Sequence, residues 1–220
     1  MIYRLAIPER NSMRRPAFLA SLTLASLVLA FLASGASAQS IGAVSPDSAI
    51  PRGNHPLRST EDESTTLNSL MGQNGLVVVF WSNVCPWTER YTDRIVDLAR
   101  DYQPAGIAFA AVNSNDSTRF PDEDFASMRL TSASAGFPFP YLMDDSGAVS
   151  IAFGARNTPQ VYFFSNTGTL LYEGAIDDSP ADPGRVETPY LQLGMDQHLA
   201  GQAIQVQLTN ALGCTIKLPR

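Results

Sequence analysis

Cysteine is scarce in this chain, with only Cys85 and Cys214 among 220 residues. Two cysteines exclude a disulfide-dense secreted scaffold and a four-cysteine zinc site. Histidine is equally rare, and His55 and His198 alone do not build a multi-histidine metal centre. His198 falls in a helical pattern beside Met195 and Leu199, which suits a solvated histidine near a helix end better than a ligand. Basic residues are outnumbered, 15 Lys and Arg against 21 Asp and Glu, and no basic stripe is visible, so nucleic acid is not an expected partner. Internal repeats are also lacking.

Long apolar runs are absent except at the start. Arg14 and Arg15 precede an apolar stretch from Ala17 to Ala33, and Ser34-Gly35-Ala36-Ser37-Ala38 follows. A basic start, an apolar middle and a small-x-small exit make residues 1–38 a secretory signal peptide. The competing reading is an uncleaved anchor, because the run approaches a bilayer-spanning length. Ala36-Ser37-Ala38 and the lack of positive charge after the run favour cleavage, and no cysteine there offers a lipid anchor. Residues 1–38 carry four arginines and one glutamate, so removing their net +3 from the −6 of the whole chain leaves −9. The expected location is secreted or periplasmic, with no membrane association after cleavage. That compartment is oxidising and permits the two cysteines to pair.

Residues 39–64 are rich in Ser, Pro, Gly and Asp without periodicity, and read as a linker or loosely docked N-terminal arm. A single α/β domain is expected over residues 65–220. Leu76–Trp81, Ile107–Asn113, Tyr141–Met143, Val161–Ser165 and Thr169–Glu173 read as strands, the last two joined by the hairpin signal Asn166-Thr167-Gly168. Pro86–Tyr102, Asp122–Ser132, Gly147–Phe153 and Thr188–Ala200 read as helices. This order predicts a central mixed β-sheet flanked by helices on both faces.

Within that order Cys85 is the most informative residue. It follows the run Val77-Val78-Val79-Phe80-Trp81 and precedes Pro86, which suits a first helical position because its missing N–H has no helical partner anyway. The sulfur therefore sits at a helix N-terminus, where free N–H groups and the dipole favour thiolate over thiol. It also lies just past a strand's carboxyl end, where open α/β sheets place their working sites. Redox or covalent chemistry is the reading, against the alternative of a small buried apolar cysteine.

A family resemblance rests on several pieces together: Phe80 to Pro86, Val112-Asn113-Ser114-Asn115-Asp116, Phe139-Pro140-Tyr141-Leu142, Phe153-Gly154-Ala155, Thr158-Pro159, Gly174-Ala175-Ile176-Asp177-Asp178 and Gly213-Cys214-Thr215-Ile216-Lys217. In order and spacing they resemble the thioredoxin-fold superfamily, and within it the peroxiredoxin-like, redoxin or AhpC/TSA-type branch. The resemblance implies a thioredoxin-like fold, Cys85 as catalytic nucleophile, a cis Thr158-Pro159 peptide facing it, and no cofactor or metal. Trp87, Thr88, Thr158 and Pro159 are the expected substrate-binding residues. Thr88 stands where a dithiol motif has its second cysteine, and Val78 stands where peroxiredoxins carry an upstream proline. Arg156 falls near a useful position for a peroxidase arginine but equally suits the surface.

Two functions follow. In the first, Cys85 attacks a disulfide-bearing protein or a peroxide, Cys214 is the resolving thiol, and an external thiol reductant restores both. About fourteen residues separate the last helix from Cys214, a reach of roughly 45 Å when extended. In the second, the protein is a non-catalytic binding module with a structural Cys85–Cys214 disulfide. A copper-delivering metallochaperone ranks below both, since it needs two close thiolates and a histidine. Asp177-Asp178 and the Asn113–Asp116 segment read as loop and turn chemistry.

Overall fold

The structure, a computed structural model, describes residues 49–220. The expected signal peptide and the first ten residues of the expected arm lie outside the described residues. Among the described residues nine strands occur: β1 (Leu57–Ser59), β2 (Ser64–Thr65), β3 (Gly75–Phe80), β4 (Ile107–Asn113), β5 (Tyr141–Met143), β6 (Asn157–Thr158), β7 (Gln160–Phe164), β8 (Leu170–Gly174) and β9 (Cys214–Thr215). Four α-helices alternate with them: α1 (Pro86–Tyr102), α2 (Phe125–Ala135), α3 (Ala148–Phe153) and α4 (Tyr190–Leu199). Seven strands form one sheet in the order β2-β1-β5-β4-β3-β7-β8, while β6 and β9 pair separately. The β3–β4 and β4–β5 pairs are parallel and the others antiparallel, so the sheet is mixed, as expected.

The run of β3 is apolar throughout because both of its faces are covered. Val77 and Val79 point into a core shared with Tyr91, Ile95 and Ala99 of α1, Met128 of α2, and Leu191 and Met195 of α4. Leu76, Val78 and Phe80 point into a second core with Val149 and Phe153 of α3, and with Ile216 near the C-terminus. Alternation along one strand thus divides the domain into two layers on either side of the sheet. Helix α1 buries Tyr91, Ile95, Val96, Ala99 and Tyr102, the i, i+4 stripe of an amphipathic helix.

Three local expectations are corrected. The second half of the stretch read as a loose arm is part of the sheet: Arg58 and Ser59 of β1 pair with Met143 and Leu142 of β5, and Ile50 and Leu57 are buried. The helix expected from Asp122 begins at Phe125, because the Asp124 carboxylate accepts the Ser127 N–H at 2.7 Å and caps the helix there, leaving Pro121–Glu123 as a separate 3-10 turn. His198 is half-buried rather than solvated. Its ring meets Phe163 edge-on at 5.4 Å, and Nε2 lies 2.9 Å from the Asn74 carbonyl oxygen.

Candidate active site

Cys85 is the N-cap residue of α1, with extended backbone, and Pro86 takes the first helical position. The side chain is only 3% exposed. Its Sγ lies 3.1 Å from the carbonyl oxygen of Thr158, and the Thr158–Pro159 peptide is cis. Opposite Thr158, in antiparallel register, stands Cys214 of β9. The fold therefore brings the two thiols, distant in sequence, to the lining of one cavity.

Burial is the largest influence on Cys85 and opposes ionisation, as does the carbonyl contact, which suits the thiol form. Hydrogen bonds to the sulfur from the Cys214 side chain, the Thr88 backbone, the Thr158 side chain and the Cys214 backbone outweigh them, and the Cys85 pKa falls below the ordinary thiol value. Cys214 moves the opposite way, pushed up to about 11, first by burial and then by its hydrogen bond and charge interaction with Cys85, with Lys217 acting weakly against both. Of the two thiols, Cys85 is the one that ionises first as pH rises.

Thr88 is buried and does not line the cavity at Cys85. Three residues past Cys85, it is turned back by the helix, and its hydroxyl lies 2.7 Å from the carbonyl oxygens of both Ser82 and Cys85. Its role is to hold the turn before α1. Trp87 is half-buried on α1 with the Arg90 guanidinium 5.7 Å over its ring, and it does not line the cavity at Cys85. That cavity, about 300 Å³, is lined by Ser82, Val84, Cys85, Asn115, Thr158, Cys214, Thr215 and Lys217. Of the expected site residues, the structure thus assembles Cys85, Cys214 and Thr158, with Pro159 adjoining through its cis peptide. Arg156 is exposed and lines a separate cavity with Glu173 and Thr209. Trp81 packs edge-on against Phe137 at 5.7 Å as a core residue.

Sequence reading missed Glu123. It is fully buried, and its carboxylate accepts the Ser82 hydroxyl, the Asn83 N–H at 2.9 Å and the Asn113 amide at 2.9 Å. The Asn113 side-chain oxygen in turn accepts the N–H and amide of Asn115, whose own oxygen accepts the Lys217 N–H at 2.9 Å. One polar chain therefore joins the loop before Cys85 to the segment after Cys214. No local pattern marks Glu123, which sits between two aspartates at the start of the stretch read as a helix. Asn113 and Asn115, read as turn residues, anchor this chain.

The Asp177-Asp178 pair divides. Asp178 accepts the N–H groups of Glu187 and Thr188, as loop chemistry requires. Asp177 departs from the expected solvated loop: it is buried and takes the Tyr91 hydroxyl at 2.8 Å and Arg94 at 2.5 Å, pinning the loop after β8 to α1. Among the described residues, no three His, Cys, Asp or Glu side chains group as metal ligands do, and no helix is long and apolar enough to cross a membrane.

With this geometry in place, residues 41–173 match the sequence model of the AhpC/TSA family. The chain belongs to the AhpC/TSA family. Thiol-disulfide oxidoreductase ResA of Halalkalibacterium halodurans is 29% identical over 122 residues, covering 54% of this chain and 62% of the relative. The chain thus spans less than two thirds of that relative's length. The crystal structure of a hypothetical protein from Sinorhizobium meliloti 1021 aligns with a TM-score of 0.72 at 30% identity, covering 78% of this chain and 95% of that one. A thioredoxin-like protein solved in its oxidized form aligns with a TM-score of 0.57 at 21% identity, covering 72% of this chain and 99% of that one, a likeness of fold. As an AhpC/TSA-family chain, it carries a thioredoxin-like fold.

Proposed function

We propose that this protein is an exported thiol-dependent oxidoreductase in which Cys85 attacks and Cys214 resolves, with residues 1–38 as the cleaved export signal. The observation that carries the reading is the apposition of the two thiols across the Thr158–Cys214 strand pair, with the Cys85 pKa lowered and the Cys214 pKa raised. In the first step the Cys85 thiolate attacks one atom of an O–O or S–S bond. With a peroxide, the sulfur is oxidised by two electrons to a sulfenic acid, and the departing oxygen takes a proton to leave as alcohol or water. Cys214 then attacks the Cys85 sulfur, water leaves, and a Cys85–Cys214 disulfide forms. An external dithiol reverses this. It attacks the more accessible Cys214 sulfur and expels Cys85, the better leaving group because its pKa is lower, and its second thiol then frees Cys214.

The test is a Cys214→Ser variant challenged with hydrogen peroxide. Cys85 is expected to accumulate as a sulfenic acid that a carbon-acid probe traps, whereas the parent gives the disulfide. Turnover of the variant with a dithiol at the parent's rate would remove Cys214 from the cycle. An unreactive Cys85 in both proteins would favour the non-catalytic binding module.

A further inference from the structure

Strand β9 does more than carry Cys214. Thr158 is the residue whose backbone lies against the Cys85 sulfur, and Cys214 is its strand partner. A polypeptide that presents a cysteine to Cys85 while pairing with β6 must put that cysteine where Cys214 stands. The chain's own tail fills the place of an extended substrate.

The tail is held there along its length. Glu173 of β8 exchanges backbone hydrogen bonds with Gln207 and Thr209, at 2.9 and 3.0 Å. The Asn157 amide donates to the Ala211 carbonyl at 2.8 Å, and the Ile216 N–H to the Arg156 carbonyl at 2.9 Å. The Lys217 carbonyl accepts the Asp116 N–H at 2.7 Å, and the Ile216 side chain is buried in the core. Two glycines allow the approach. A Cβ on Gly174 would stand 2.6 Å from the Thr209 carbonyl oxygen. A Cβ on Gly213 would collide with the Thr158 carbonyl oxygen and stand 2.7 Å from the carbonyl carbon. Backbone atoms cannot swing aside as side chains do, so position 213 tolerates no side chain while the tail is docked.

We propose that residues 213–216 are a built-in occupant of a polypeptide-binding edge, restricting the oxidising substrate to small hydroperoxides that enter the cavity of about 300 Å³, and that undocking them opens the edge to extended peptide disulfides. This rests on Cys85 being the nucleophile, and it names the substrate class of that site. The balance for each oxidant is simple. A hydroperoxide accepts two electrons from the Cys85 thiolate and leaves as an alcohol or water. A peptide whose cysteine is capped by a chromophoric thiol forms a mixed disulfide with Cys85 and releases that thiol.

The experiment compares the parent with Gly213→Ala, which keeps both cysteines, using two probes in single turnover: hydrogen peroxide, and a short extended peptide bearing a cysteine–thionitrobenzoate disulfide. A docked tail lowers the fraction of molecules open to the peptide, so undocking should raise the peptide rate by about tenfold or more. With peroxide the variant should accumulate sulfenic acid, because Cys214 no longer sits beside Cys85. Hydrogen exchange at Ile216 and Lys217 should quicken in the variant and report release of the tail directly. Ile216→Asp, which removes the buried anchor instead, should reproduce the peptide result if Gly213→Ala folds poorly. Equal peptide rates in the parent and both variants, or unchanged exchange at Ile216 and Lys217, would overturn the occupant role while leaving Cys85 as nucleophile. A parent inert to peroxide but reactive with the peptide would also overturn that role, whereas a parent and variants inert to both probes would instead defeat the functional reading itself.

Discussion

Removing the Glu123 carboxylate tests the polar chain that joins the two halves of the site. In Glu123→Ala the Ser82 hydroxyl, the Asn83 N–H and the Asn113 amide all lose their acceptor in a fully buried place. Each orphaned buried donor costs about 1–3 kcal/mol. A water filling the vacated volume would restore part of this, since it can accept from two of the three donors. The expected loss is about 3–5 kcal/mol after that recovery. For a domain of this size it lowers Tm by roughly 6–20 °C. Glu123→Gln keeps one acceptor oxygen and should recover about half of the loss. The assay is urea unfolding of the reduced protein followed by tryptophan fluorescence, with both variants against the parent. Because Asn113 and Asn115 relay to Lys217, the alanine variant should also close the Cys85–Cys214 bond more slowly. Stability of Glu123→Ala within about 1 kcal/mol of the parent would refute the argument, since the three donors would then have found other partners.

Three further outcomes are expected. Alkylation of reduced protein should modify Cys85 first at mildly acidic pH. The thiolate is the reactive form, Cys85 titrates below the ordinary thiol value, and Cys214 keeps its proton until about pH 11; peptide mapping that finds Cys214 labelled first would reverse the assignment. Asp177→Ala strands Arg94 and the Tyr91 hydroxyl beneath the loop after β8, and should cost about 3–5 kcal/mol in urea unfolding, the range for breaking a buried ion pair by removing one partner; a loss under 1 kcal/mol, the worth of an exposed pair, would contradict the pairing. Mass spectrometry of exported protein should give Gln39 or a near neighbour as first residue, and a membrane-retained full-length chain would contradict cleavage.

Much of this architecture was legible because it is local. The apolar run of β3, the Cys85-Pro86 junction and the spacing of Tyr91, Ile95 and Ala99 each carry their own signal, and β3 and α1 lie where those signals put them. The β7–β8 hairpin announces itself through Asn166-Thr167-Gly168. What was not legible depends on partners far along the chain. Strands β1 and β2 have three and two residues, too short to show a period; β1 owes its place to β5, and β2 its place to β1. Strand β9 is two residues long and exists only because Thr158 stands opposite Cys214. Gly213 looked like a residue for a sharp turn. Its function is close approach, which no sequence window contains. Glu123, in the stretch read as the start of a helix, is a buried acceptor for three donors, all of them remote or loop groups that no helical pattern names.

The central claim is that Cys85 and Cys214 work as a pair within one chain. Its most direct test is a thiol count and peptide map of the parent after one equivalent of hydrogen peroxide under non-reducing conditions. The expected result is loss of both thiols, a single linked peptide joining Cys85 to Cys214, a monomeric mass, and full recovery of two thiols on adding a dithiol. Loss of the Cys85 thiol alone, or linkage only between separate chains, would contradict it.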